Sequence, residues 1–147
     1  MRIFTFMRPL YKMRTFSHEV VQRQWSSVDY RNNMSIIGLV QRGGHQEIIA
    51  IGSYAQEDES RAEVAFVVRE DFHGMGIASY LLEILVNIAK ENQFTGFCAT
   101  VLRENAAMIR VFKKRFPHAT VSMNSGSDLR ILMDFNAPES DAGSVDE

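Results

Sequence analysis

The chain has 147 residues, of which 46% are hydrophobic and 23% charged, and its formal net charge is −2 at neutral pH. A chain of this size and composition forms one globular domain, which excludes a fibrous or wholly disordered protein. Because Lys and Arg are mixed among Asp and Glu, no cationic stripe is available for a phosphate backbone, and we predict no nucleic-acid partner.

Metal and disulfide chemistry is not indicated. Cys98 is the single cysteine, and the four histidines lack metal-ligand spacing. The sequence therefore predicts no metal and a cytoplasmic protein. Residues 1–14 are interrupted by Pro9 and by basic residues, which argues against a signal peptide and against a membrane partner. Their apolar residues favour a strand, so the chain could be cut from a longer protein.

The first half of the chain predicts a strand, a helix, a hairpin and another strand. Ser17 is a suitable N-cap for a helix over residues 18–25. Apolar runs at residues 34–40 and 47–54 flank a glycine turn, which is typical of a β-hairpin. Alternation over residues 62–69 predicts the strand that follows.

The second half alternates helices with strands. An apolar stripe predicts a helix over residues 77–93, followed by a strand over residues 96–102. Asn105 can cap the next helix. Runs at residues 119–123 and 129–135 flank a polar turn and predict a final hairpin.

This order of elements predicts an α/β (α+β) fold: a mixed, mostly antiparallel central sheet with helices on both faces, parallel only where a helix makes the crossover. We expect one domain over residues 1–136. Residues 137–147 are acidic and are predicted to be a disordered tail.

The segment most informative about function is a strand followed by a glycine-rich turn and a helix start. Helix N-termini offer unpaired amides to phosphate, and Gly74 and Gly76 leave room for close approach. One alternative is a dinucleotide fingerprint, but Ser79 stands where its third glycine belongs. The other alternative is a plain strand-to-helix turn without a ligand.

The run from His73 to Ala78 resembles the acetyl-CoA loop of the GNAT superfamily, R/Q-x-x-G-x-G/A, and departs from it at His73. Residues 98–102, Asn105 and the following helix resemble the family's second cofactor element. The resemblance covers nearly the whole chain. It is closest to protein-lysine acetyltransferase domains, alone or fused to acyl-CoA synthetase-like modules, which share similar runs at residues 16–18 and 28–30.

The resemblance implies that acetyl-CoA binds as co-substrate, with its pantetheine arm beside a splayed strand. The amide of Val68 could then stabilise the oxyanion. The implied cofactor-binding residues are Phe66, Val67, Val68, His73, Gly74, Met75, Gly76, Ile77, Ala78, Ser79 and Asn105. For Asn105 a simple capping role is an equal alternative.

Glu63 lies where similar lysine acetyltransferases carry a catalytic glutamate, and the resemblance implies that it is the general base. From the residues alone, a solvated carboxylate at a strand end is an equal alternative. Many GNAT enzymes have a tyrosine as general acid at the position of Phe112, so that role is vacant here. Cys98 is more typical of a buried apolar residue than of a nucleophile.

We therefore expect an acyltransferase that carries acetyl from acetyl-CoA to an amine, with a protein lysine as the first candidate acceptor. A small-molecule amine is the second candidate. A non-catalytic module that senses acetyl-CoA is the alternative from another class, suggested by Phe112. The sequence leaves open the acceptor's identity and whether the protein forms a homodimer.

Overall fold

The structure is a computed structural model that describes residues 2–6, 31–124 and 126–136. Local sequence patterns account for its elements, since the strands follow the β-branched and aromatic runs and the helices follow the 3.6-residue stripes. The elements are β1 (Arg2–Phe6), β2 (Asn33–Arg42), β3 (His45–Gln56), β4 (Arg61–Val68), α1 (Ile77–Glu91), β5 (Gly96–Leu102), α2 (Ala106–Arg115), β6 (Thr120–Met123) and β7 (Asp128–Asp134).

The strands form one sheet in the order β1-β2-β3-β4-β5-β7-β6. Every neighbouring pair is antiparallel except β4 and β5, which α1 connects as a crossover. The predicted mixed, mostly antiparallel sheet is confirmed. The helix predicted at residues 18–25 and the tail at 137–147 lie outside the described residues. Among the residues described, no helix is long and apolar enough to cross a membrane.

Helix α1 packs its apolar stripe on the central strands. Its buried residues include Leu81, Leu85 and Val86, each with no exposed surface. Val86 is fully buried, whereas Ile88 of the same helix is only partly buried. The helix ends at Glu91, two residues before the predicted end, because Gln93 adopts a left-handed φ of 70°.

A glycine lets the sheet and α1 approach each other. A Cβ at Gly52 of β3 would lie 3.0 Å from the ring of Phe66 and 3.3 Å from Leu85. The ring of Phe66 therefore crosses over β3, under α1, instead of turning to solvent. This contact fixes the direction of the second half of β4.

The start of β4 is fastened to its neighbours by Arg61. Its guanidinium donates to the Phe97 carbonyl at 3.3 Å and to the Asp134 carboxylate at 2.6 Å. A side chain at Gly96 would collide with the Met133 carbonyl, so β5 and β7 also come close at this point. At this end of the sheet β4 is thus tied to β5 and β7.

At the other end of the sheet β4 and β5 separate. Their parallel ladder has three pairs and ends at Glu63 and Cys98. Beyond this point β4 continues with β3 as far as Val68, while β5 continues with β7 as far as Leu102. The result is a V-shaped cleft within the sheet, and the glycine-rich turn follows the β4 arm directly.

Candidate functional site

The β4 arm of the cleft has an unpaired backbone edge. The amide of Arg69 donates to the Ile49 carbonyl of β3 at 2.7 Å. Successive residues of a strand turn their backbone groups to opposite edges, so the amides of Val68 and Phe66 point away from β3. No described strand pairs with them there. This edge can receive an extended, amide-bearing ligand as an extra strand.

The turn after β4 presents backbone amides to the same cleft. A short 3-10 turn, Glu70–Phe72, leads to Gly74 and Gly76, which have φ of 75° and 76°. Gly76 is the N-cap of α1 and supplies no side-chain cap, so the first amides of the helix lack a side-chain acceptor. An ideal Cβ at either glycine meets nothing within 4 Å. The space above the helix N-terminus is therefore open to an anion.

Charged and aromatic contacts hold this turn in place. Arg69 donates to Asp71 at 2.6 Å and to Glu47 at 3.1 Å. The hydrogen bond from Arg69 lowers the pKa of Asp71 below its usual value. The guanidinium carbons of Arg42 and Arg69 lie 5.3 and 5.1 Å from the centre of the Phe72 ring. The turn is thus held by contacts within the chain itself.

His73 closes the turn on the strand. Its Nε2 atom lies 2.7 Å from the carbonyl oxygen of Val68, which fits a hydrogen bond donated by the ring. This contact occupies the carbonyl of Val68 and leaves its amide directed at the cleft. His73 therefore stabilises the loop through its side chain, although it departs from the arginine or glutamine of the motif.

The cleft opens into a cavity of about 520 Å³ between the turn and α2. Ten of the eleven predicted cofactor-binding residues line it. Met75 does not, and its side chain is 68% exposed. The lining residues are Phe66, Val67, Val68, Phe72, His73, Gly74, Gly76, Ile77, Ala78, Ser79, Asn105, Ala107, Met108, Arg110, Val111 and Lys114.

The sequence did not single out the wall that α2 provides. Ala107, Arg110, Val111 and Lys114 recur every three or four residues, so they share one side of the helix. The sequence shows this spacing, but spacing alone does not decide whether the two basic residues meet solvent or a cavity. They bring positive charge to the cavity at some distance from the helix N-terminus.

Asn105 lies at the junction between β5 and α2 and has two roles in the geometry. Its Oδ1 atom accepts the Met108 amide at 3.2 Å, which is an N-cap bond. The residue also lines the cavity. Both alternatives considered for Asn105 are therefore compatible with its position.

Glu63 lies at the apex of the cleft, on the opposite face from the core. Its neighbours Ala62 and Val64 pack in the hydrophobic cluster with α1, so Glu63 points to the other side. Among the described residues, none donates a hydrogen bond to the half-buried Glu63 side chain. A carboxylate without a committed donor, beside the point where the strands part, can accept a proton.

Three other side chains share this face with Glu63. Arg130 of β7 donates from Nη2 to both carboxylate oxygens of Glu57, each at 2.7 Å. The thiol of Cys98 donates to the same carboxylate at 3.0 Å. The hydrogen bonds from Arg130 and Cys98 lower the pKa of Glu57, whereas burial and this carboxylate raise the pKa of Cys98 to about 12. Glu57 is thus committed, and Cys98 remains a thiol.

Phe112 is not part of the cavity wall. It is 1% exposed, and its ring centre lies 6.0 Å from that of Phe66 in the core. A hydroxyl on this ring would therefore lie outside the residues that line the cavity. In the part of the chain that the structure describes, no group of three His, Cys, Asp or Glu side chains could hold a metal ion.

Sequence comparisons agree with this geometry. The chain is 28% identical over 86 residues to an acetyltransferase of Pseudomonas aeruginosa, covering 58% of this chain and 46% of that protein. It is 29% identical over 115 residues to acetyltransferase Pat of Mycolicibacterium smegmatis, covering 67% of this chain and 34% of Pat. The chain thus spans less than half the length of either relative.

Solved structures show the same fold. The GNAT domain of S. lividans PAT superposes with a TM-score of 0.65 and 29% identity, covering 81% of this chain and 69% of that domain's chain. A cAMP-binding acyltransferase from Mycobacterium smegmatis gives a TM-score of 0.63 at 25% identity, covering 82% of this chain and 36% of that one. The profile of the GNAT acetyltransferase family matches residues 2–116. With its splayed strands and glycine-rich helix start, the chain belongs to the GNAT acetyltransferase family.

Proposed function

We propose that this domain transfers an acetyl group from acetyl-CoA to the side-chain amine of a protein lysine. One observation carries the proposal: the unpaired edge of β4 at Phe66 and Val68 runs directly into the open N-terminus of α1. A CoA thioester has an amide-bearing arm and a pyrophosphate, and these two features match the strand edge and the helix start in that order.

The residues present fit acetyl-CoA. In our proposal the amides of residues 74–79 bind the pyrophosphate, where the two glycines keep the approach open. The pantetheine arm occupies the cavity between β4 and α2. The thioester then lies in the cleft beside the amide of Val68, and Glu63 lies further along the same strand, at the apex. Arg110 and Lys114 add positive charge that suits a phosphorylated ligand.

Glu63 and Val68 account for the chemistry. A lysine ammonium has a pKa near about 10.4 and must lose a proton before it can attack. Glu63 takes that proton, directly or through water, and the neutral nitrogen attacks the thioester carbonyl carbon. The amide of Val68 stabilises the negative oxygen that forms. When the intermediate collapses, the carbon–sulfur bond breaks and CoA leaves as a thiolate, which a thiol pKa near about 8.5 makes a good leaving group.

Two features favour a lysine acceptor. The acceptor side of the cleft carries the carboxylate of Glu63, which attracts an ammonium group. The chain is also similar to acetyltransferase Pat of M. smegmatis and to the GNAT domain of S. lividans PAT. A small-molecule amine remains the second candidate acceptor, because the Glu63 carboxylate would attract its ammonium group as well.

Labelled acetyl-CoA, incubated with the protein and a cell lysate, tests the proposal. We expect label on lysines of one or a few proteins, and release of free CoA that depends on an added lysine peptide. Label confined to small amines would select the small-molecule acceptor. Tight acetyl-CoA binding by calorimetry, with no CoA release for any amine, would select the sensing module that Phe112 suggests.

A further inference from the structure

The ion pair between Glu57 and Arg130 spans the acceptor side of the cleft. Glu57 follows the end of β3 and Arg130 belongs to β7, so the pair bridges β4 and β5 on the face that carries Glu63. The two side chains are 31% and 33% exposed, so solvent and an acceptor can reach them. The pair lies where a general base and an incoming amine must meet.

We propose that Arg130 is a positioning residue for the acceptor: it neutralises Glu57, so that Glu63 alone receives the acceptor ammonium. The inference rests on the proposed function and extends it to acceptor recognition. Arg130 holds both oxygens of Glu57, whereas no described side chain donates to Glu63. Two free carboxylates would offer the ammonium two binding positions, and only the position at Glu63 leads to transfer.

The titratable groups around the pair support this assignment. Those that face Arg130 within the described residues are Glu57, Glu63 and Cys98, and the hydrogen bond that Arg130 donates to Glu57 raises the pKa of Arg130. Asp58 also lies beside Glu57, but its carboxylate accepts the amides of Ser60 and Arg61 at 2.8 Å each. The pairing therefore leaves one uncommitted acid on this face.

Removing each partner should shift the pH profile in opposite directions. Arg130→Gln leaves the Glu57 carboxylate without a cation. This second negative charge then stabilises the bound ammonium and raises the apparent pKa of the ammonium by about one unit. Below that pKa, kcat should fall by about tenfold and the KM for a lysine peptide should also fall. Glu57→Gln leaves an unpaired cation, so the apparent pKa should fall and the KM should rise by about tenfold.

The double variant separates this role from simple stabilisation. In Glu57→Gln/Arg130→Gln both charges of the pair are removed, so the site again has no unbalanced charge. The pH profile should return to that of the wild-type protein, and kcat should be within about threefold of the wild-type value. Arg130→Lys keeps the charge and should hold the wild-type profile. The matched control is Arg115→Gln, which breaks a pair with Glu83 of the same 2.7 Å length between α2 and α1 and should leave kcat and KM unchanged. Thermal melts give the stability of every variant.

The measurement is the pH dependence of CoA release with a lysine peptide. Opposite shifts in the single variants that cancel in the double variant support the inference, whatever the melting temperatures. A wild-type pH profile in Arg130→Gln, or equal losses in the two single variants and the double variant, overturns it while leaving the proposed acetyl transfer intact. A wild-type protein that releases no CoA with any amine would overturn the proposed function first, and this inference with it.

Discussion

Glu63 and Cys98 are the last Cα pair of the parallel ladder between β4 and β5. The general base that we propose therefore sits where the sheet stops being continuous and a ligand can pass between two strands. On one side of this point lie the cavity and the N-terminus of α1, and on the other lie Glu57 and Arg130. The arrangement separates a cofactor side from an acceptor side, with the Glu63–Cys98 pair between them.

Replacing Gly76 with alanine should weaken acetyl-CoA binding by at least about tenfold. The left-handed φ of 76° makes a side chain cost about 1–2 kcal/mol of stability, and the new methyl group enters the space that we assign to pyrophosphate. The control is Gly44→Ala in the β2–β3 turn, where φ is 80° and the residue does not line the cavity. Calorimetric titration with CoA should separate the two variants, although their stabilities fall together. Equal CoA affinities would refute the loop assignment.

Cys98 should be inert in the folded protein. Burial and the Glu57 carboxylate raise its pKa to about 12, so at pH 8 only about one thiol in ten thousand is ionised. We expect iodoacetamide to leave Cys98 unmodified until the protein is unfolded. Cys98→Ser keeps a donor to Glu57 and should retain turnover within about fivefold. Loss of all turnover, or an acetylated thiol seen by mass spectrometry, would require a covalent intermediate.

Phe112→Tyr should lower the stability of the fold and leave the turnover rate nearly unchanged. The ring is 1% exposed and packs near Phe66, so a hydroxyl added there would be buried away from water without a hydrogen-bond partner. Burying it should lower the free energy of unfolding by about 1–3 kcal/mol. Chemical denaturation should show this loss. Turnover per folded molecule should stay within about threefold of the wild-type value. An increase of tenfold or more would mean that the hydroxyl reaches the leaving thiolate and supplies the acid.

Local patterns made β4, the glycine-rich turn and α1 predictable, because alternation, glycine and a helical stripe act over a few residues. The contribution of Arg110 and Lys114 was not predictable in the same way. Their periodicity shows which residues share a side of α2, but only packing decides whether that side meets solvent or a cavity.

The acceptor side depended still more on topology. Glu57 and Arg130 are separated by 73 positions. They meet because β7, the second strand of the final hairpin, pairs with β5 and leaves β6 at the edge. The sequence predicted the hairpin but not which of its strands would lie inside. With β6 inside, Arg130 would have been one strand further away from Glu57.

The rate of CoA release by Glu63→Gln, with a lysine peptide as acceptor, tests the central claim most directly. The amide keeps the shape of the side chain but cannot take a proton from the amine, so kcat near neutral pH should fall by about a hundredfold to ten-thousandfold while acetyl-CoA affinity holds. Part of the rate should return as the pH approaches the pKa of the free amine. Glu91→Gln, at the exposed end of α1, controls for loss of a surface charge and should behave as wild type. A Glu63→Gln protein with wild-type kcat at neutral pH would contradict the account.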